Sequence, residues 1–113
     1  MPEHPTGFLV HHRPDGYGDV TPLFPGQRYA VGRAANNRIV LRDDLCSRYH
    51  AEVFADARGW VARDLGSLNG TAVNDGRVTG EAPLKPLDLL KVGRSAFVFV
   101  ESMDQLPGLP TPP

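Results

Sequence analysis

An all-β sandwich is the architecture this chain implies, on three observations. The 12 glycines and 11 prolines among its 113 residues fall as punctuation through the body, at Pro14-Asp15-Gly16, Pro25-Gly26, Gly59, Gly66, Gly70, Asp75-Gly76, Pro83, Pro86 and Gly93. The apolar runs between them are rich in Val, Phe, Tyr and Leu and mostly too short to make a helix. Asn74-Asp75-Gly76, between TAV and RVT, reads as a hairpin, because Asp-Gly tolerates the positive φ that a tight two-residue turn demands. Many short strands at such spacing form a sandwich or a barrel.

Taken in order, the candidate strands are GFLVHH from Gly7, RYAVG from Arg28, RIVL from Arg38, GWVAR from Gly59, TAV from Thr71, RVT from Arg77, DLLKVG from Asp88 and SAFVFVE from Ser95. In the last, Phe97 and Phe99 share one face and Ala96, Val98 and Val100 the other, so both faces should be covered. Trp60 is a core residue on this reading. The segment from Ala34 to Arg58 behaves differently: it has no Gly or Pro, and Leu41, Leu45, Tyr49 and Val53 recur every four residues. Asp43 and Asp44 would suit a helix start and Gly59 a stop, so local rules leave open both a helix over 43–58 and a loop followed by a strand. The end of the chain, DQLPGLPTPP, has four prolines in ten residues and reads as an extended linker before a further domain. Thr111, set between prolines, reads as linker rather than as a phosphorylated site. The expected organisation is an N-terminal extension over 1–6, one domain over 7–102 and a Pro-rich linker over 103–113.

A chain of this size with 41% hydrophobic residues can bury one core and has no room for two. Its net charge of −1 gives no whole-molecule field that would draw it to nucleic acid or an anionic membrane. Positive charge is concentrated locally, with Arg28, Arg33, Arg38, Arg42 and Arg48 set against Asp43 and Asp44. Arginine is abundant throughout, ten against only Lys85 and Lys91, so the cluster has a compositional explanation as well as a functional one. Cys46 is the single cysteine, which excludes an intrachain disulfide and suits a reducing compartment, the cytoplasm by default. The apolar run Phe8 to Val10 near the N-terminus is too short for a signal-peptide core or a membrane span.

Three stretches hold polar residues that a core does not require: Gly32-Arg33, Ser47-Arg48-Tyr49-His50 and Asn69-Gly70-Thr71. The last closes the run LGSLNG, whose glycines can either turn the chain or carry backbone amides up to a ligand. Each stretch alone is weakly specific. In this order and spacing, with Asn74 three residues after Thr71, they resemble the forkhead-associated (FHA) domain. The longer runs YAVGRAANNRIVL, CSRYHAEV and DLGSLNGTAVN extend the likeness, which covers about Gly7 to Glu101. The resemblance implies a β-sandwich of about eleven strands, with loops at one end that bind phosphothreonine in an extended peptide. It also favours the loop-and-strand reading of the ambiguous segment, with Ser47 and Arg48 on a loop and His50 to Ala55 on a strand.

The chemistry of that implied site follows residue by residue. Phosphothreonine carries nearly two negative charges and three acceptor oxygens, so its pocket needs charge-assisted donors held in place beforehand. The resemblance assigns this role to Arg33 and Ser47, with Arg48 as a helper. Asn69 would pair with the peptide backbone through its carboxamide. Leu68 stands where some relatives carry threonine, which removes a hydroxyl contact and leaves at most a backbone one. Gly32, His50, Gly66, Gly70, Thr71 and Asn74 would support the site, His50 by bracing the loop that carries Ser47.

A nucleophile–base pair of Ser47 and His50 is disfavoured, because three-residue spacing brings side chains together on a helix and not on a strand. A zinc site from His11, His12, His50 and Cys46 matches no familiar ligand spacing. No catalytic residue, metal or cofactor is expected. The expected partner is a phosphothreonine-containing protein downstream of a serine/threonine kinase, the isolated domain being monomeric and without direct nucleic-acid or membrane binding. The alternative is a scaffold of the same type that binds its partner independently of phosphate. The implied setting is the N-terminal regulatory part of a larger, transcription-regulatory protein, by family analogy.

Overall fold

Strand-length apolar runs that must bury one face each leave two sheets packed together as the economical solution. The structure, a computed structural model, describes residues 4–108. Eleven strands are present: β1 (Gly7–Arg13), β2 (Gly16–Leu23), β3 (Tyr29–Gly32), β4 (Ile39–Val40), β5 (Ala51–Asp56), β6 (Gly59–Asp64), β7 (Thr71–Val73), β8 (Gly76–Arg77), β9 (Glu81–Pro83), β10 (Leu89–Val92) and β11 (Ser95–Val100). One sheet has the order β2-β1-β11-β10-β7-β8 and the other β4-β3-β5-β6-β9. All the recorded pairings are antiparallel except that of β3 with β4.

The core lies between the sheets and is built from alternate residues, including Leu9, Val31, Val53, Trp60, Leu90, Phe97 and Phe99. Its two large polar-tipped members are satisfied. The Trp60 indole N–H donates to the Thr6 hydroxyl at 3.0 Å, and the Tyr29 hydroxyl accepts from the Phe24 amide at 2.8 Å. The central strand β11 is covered on both sides, as its two apolar faces require. Phe97 and Phe99 face the main core, while Val98 and Val100 join Val10 and Leu106 in a second cluster on the outer face. A short 3-10 turn at Met103–Gln105 delivers Leu106 to that cluster, and the Tyr17 hydroxyl donates to the Pro107 carbonyl at 2.7 Å. Packing on the outer face of β11 therefore continues past residue 102 to Leu106 and Pro107, within the stretch read as linker. Thr6 likewise belongs to the unit, and the remainder of the Pro-rich stretch, with Thr111, lies outside the described residues.

Two strands escaped the sequence reading, β2 and β9. Both are sheet edges and both contain proline, Pro22 and Pro83, which edge strands tolerate and central ones do not. The hairpin at 74–76 exists, shifted by one residue. Val73 pairs with Gly76, so the two-residue turn is Asn74-Asp75, and Asn74 rather than Gly76 takes the positive φ, at 56°. The helix left open over 43–58 does not form. Asp43 caps a turn instead, and Gly59, at φ 99°, closes the hairpin from β5 to β6. Among the described residues, no helix is long and apolar enough to cross a membrane.

Candidate functional site

Three loops meet at one end of the sandwich: the one after β3, the one that leads into β5, and the one between β6 and β7. Gly32 allows the first two to touch. A Cβ there would sit 2.2 Å from the Arg48 carbonyl oxygen and 2.8 Å from that of Ser47. The same approach lets the Arg33 and Ala34 amides donate to the Ser47 and Arg48 carbonyls at 3.1 and 3.0 Å. Asn37, which is buried, adds a side-chain amide bond to the Arg48 carbonyl at 2.8 Å.

His50 joins the second loop to the third. It is completely buried, accepts the Ser47 amide at Nδ1 at 3.0 Å, and has Nε2 2.7 Å from the Gly70 carbonyl. An amide can only donate, so Nδ1 is the unprotonated nitrogen and Nε2 carries the proton to Gly70. With both nitrogens engaged, His50 has none free to serve as a base toward Ser47 and acts as a brace. The Ser47 hydroxyl makes a further cross-link by accepting the Leu68 amide at 3.1 Å, which leaves its own O–H to donate elsewhere. The Asn69 side-chain NH₂ donates to the Leu45 carbonyl at 2.8 Å, leaving its carboxamide oxygen free of recorded partners.

Asp64, unforeseen from sequence, organises the third loop. Its Oδ1 accepts the Ser67 and Thr71 hydroxyls at 2.5 and 2.7 Å, and its Oδ2 accepts the Gly66 and Ser67 amides at 3.1 and 3.2 Å. Gly66 and Gly70 take positive φ of 78° and 85°, which lets six residues turn tightly about one carboxylate. Asp43 does the equivalent for the second loop, accepting the Leu45 amide, the Arg94 amide and the Ser95 hydroxyl at 2.9, 2.7 and 2.9 Å. The visible signal was an acid two residues before the amide it accepts, Asp64 before Gly66 and Asp43 before Leu45, the spacing of an Asx turn.

These carboxylates predict acid sensitivity. Burial pushes the Asp64 carboxyl up, but the hydroxyls of Ser67 and Thr71 and the amides of Ser67 and Gly66 outweigh it and hold it below its usual 3.8. Asp43 is likewise depressed, the bonds from Leu45, Ser95 and Arg94 outweighing its burial. A depressed folded-state value means the ionised form is the stabilising one, so its contribution is complete well above pH 3.8 and is lost as pH falls through the folded value. Urea unfolding should show stability falling below about pH 4, and Asp64→Asn should cost about 1–3 kcal/mol at pH 7 while flattening the acid limb.

What remains at the rim is positive and, among the described residues, in no ion pair. Arg33 donates from Nε to the Cys46 carbonyl at 2.6 Å, which orients the fork and leaves its terminal nitrogens without a recorded partner. The Arg48 side chain is exposed and makes no hydrogen bond or ion pair among the described residues. The other arginines of the cluster point elsewhere. Arg28 pairs with Glu52 at 2.5 Å, Arg38 lies over the Tyr29 ring, and Arg42 lines a cleft on the flank of the sandwich. Leu68 stands 87% exposed, but its amide is already given to Ser47 Oγ, so the backbone contact expected of it is not free. Asn74 also sits apart from the rim, at the far end of β7 from Thr71, where it bonds Leu89 and Asp88. Burial drives the Cys46 thiol up to about 11, making it a packing group rather than a nucleophile. Among the described residues, no three His, Cys, Asp or Glu side chains are grouped as a metal would require.

Comparison with known proteins gives the same pattern. The family profile for the FHA domain matches residues 29–93. The chain is 37% identical over 84 residues to the ABC transporter ATP-binding/permease protein Rv1747 of Mycobacterium tuberculosis, which covers 74% of this chain and 10% of that protein. The FHA domain of the CT664 protein from Chlamydia trachomatis superposes with a TM-score of 0.79 at 26% identity, over 85% of this chain and 97% of that one. A structure described under phosphothreonine-dependent FHA domain interactions superposes at 0.70 with 30% identity, over 82% and 95%. The chain spans less than half the length of the curated relatives it matches.

Proposed function

The chain belongs to the FHA-domain family, and on that premise we propose that its rim binds phosphothreonine in an extended segment of a protein partner phosphorylated by a serine/threonine kinase. FHA domains are interaction modules rather than enzymes, known for phosphothreonine-dependent contacts. The observation that carries the reading is the pairing of free cationic and hydroxyl donors with a rigid frame. Among the described residues no carboxylate pairs with Arg33 or Arg48 and the Ser47 O–H has no recorded acceptor, while the loops that hold them are already locked by Asp43, His50 and Asp64. A site ordered in advance does not lose affinity to loop ordering when a doubly charged group arrives. Asn69, with its NH₂ held by Leu45, turns its oxygen toward the peptide's amides. The setting is a docking domain within a longer regulatory protein of the cytoplasm, transcriptional regulation included; the matched relatives carry the unit as a minor part of their length.

Titration of one peptide in phosphothreonine, phosphoserine and threonine forms tests this. Two charge-assisted hydrogen bonds at about 1.5 kcal/mol each put the phosphothreonine form at least about a hundredfold ahead of threonine. Burying the extra methyl adds about 0.8 kcal/mol, a preference of roughly fourfold or more over phosphoserine. Equal binding of all three forms would replace this reading with docking that ignores phosphate.

A further inference from the structure

A second concentration of positive charge lies on the flank, where β4 passes beside β1, β2 and β11 of the opposite sheet. A cleft of about 380 Å³ opens there. Arg13 from the end of β1 and Arg38 and Arg42 from either side of β4 line it, together with His11 and a single acid, Asp19. The ion pairs recorded among the described residues are made by Arg28, Arg58 and Lys91, so the three cleft arginines are in none of them, although Asp19 faces the cleft and Asp43 and Asp44 lie beside Arg42 at its edge.

Two of them are held in place. The Arg38 guanidinium lies 4.8 Å from the Tyr29 ring centroid and donates to Gln27 Oε1 at 3.0 Å. Arg13 lies across Gly18, where a Cβ would come within 2.7 Å of its Nε. His11 stacks on Phe97 with centroids 4.9 Å apart, and burial and the Arg13 charge both lower its pKa, so at neutral pH it adds a neutral hydrogen-bonding wall.

The other wall is a strand at a sheet edge. β4 ends the order of its sheet, is paired only with β3, and leaves Val40 48% exposed. An edge of this kind offers main-chain groups to an incoming extended chain, and guanidinium forks match carboxylates. We infer that this cleft is a second docking site, which takes an acidic, extended segment of a protein partner along β4 with its carboxylates on Arg13, Arg38 and Arg42. Nucleic acid fits less well, because Phe97 is buried and one face of the His11 ring is already stacked on it, which leaves little aromatic surface for bases. The site stands independently of the phosphothreonine reading. Arg42 does, however, begin the loop that carries Ser47, so one partner could occupy both with a gain in effective concentration.

The test is an NMR titration of the ¹⁵N-labelled chain with a synthetic decapeptide of alternating Glu and Thr, with the Gln-for-Glu peptide and a thymidine decanucleotide as comparisons. The acidic peptide should shift amides of β1, β2 and residues 38–42, and should bind about tenfold more weakly when ionic strength is raised from about 0.05 to 0.3 M. Arg13→Glu with Arg42→Glu, two exposed side chains, should weaken it a further tenfold or so, with the variant's dispersed spectrum reporting its fold. Ser47→Ala should leave it unchanged. Absence of shifts at millimolar peptide, equal shifts from the Gln peptide, tighter binding of the oligonucleotide, or shifts centred on Arg33 and Ser47 would each overturn the assignment.

Discussion

Arg33→Ala will weaken binding of a phosphothreonine peptide by about ten- to a hundredfold and leave the unfolding temperature almost where it was, the cost of removing one charged donor being about 1.5–3 kcal/mol. The separation of the two effects is the point. Arg33 is exposed and its one recorded side-chain bond is to the Cys46 carbonyl, so the fold loses little without it. The loop itself is held through the Arg33 amide on Ser47, which alanine keeps. Arg33→Lys keeps the charge without the fork and should recover only part of the loss. Ser47→Ala is less selective, since it also removes the acceptor for Leu68, and should lower both affinity and stability. Calorimetric titration beside thermal unfolding reads both quantities. Undiminished affinity in Arg33→Ala would place the phosphate elsewhere.

Legibility in the sequence followed a physical rule. Central strands such as β1, β10 and β11 are apolar on the faces they bury and could be read directly, whereas β2 and β9, as edges, carry Gly, Asp and Pro that resemble loop. The positions of Gly32, Arg33, Ser47, His50 and Asn69 at one end of the molecule could be expected because their short, spaced motifs resemble those of the FHA domain. The more distant groups that hold them could not. Asp43 reaches across to the β10–β11 turn, and Asn37 reaches the Arg48 carbonyl, contacts fixed by register between distant segments rather than by local pattern. Charge was the least legible property. Five arginines close in sequence divide among the rim, a pair with Glu52, the Tyr29 ring and the flank, because alternate positions around β3 and β4 face different ways. The start of the tail is a related case: proline content predicts extension, and Leu106 is taken up by an apolar face that only the folded sheet creates.

Gly32→Ala should damage stability and recognition together. The added Cβ would overlap the Arg48 carbonyl oxygen at 2.2 Å, and backbone cannot rotate aside as the end of a side chain can. Either β3 or the 47–48 backbone must move. Movement strains the amide bonds from Arg33, Ala34 and His50 that set the approach, at 3.1, 3.0 and 2.9 Å. Overpacking of this kind costs about 1–3 kcal/mol, or a fall of roughly 4–8 °C in Tm for each kcal/mol in a domain of this size. The same shift carries Ser47 away from Leu68 and alters its distance to Arg33, so phosphothreonine affinity should fall at least about tenfold even where the variant remains folded, since a misplacement near 1 Å is enough to lose aligned charge-assisted bonds. Gly59→Ala is the matched control. It sits at φ 99° in the hairpin at the far end of β5, with nothing within 4 Å of the added carbon, so it should lower Tm through backbone strain and leave peptide affinity intact. A Gly32→Ala protein with native affinity would show that the contact between the first two loops does not set the site, whereas a loss confined to Gly32→Ala ties recognition to that single close approach.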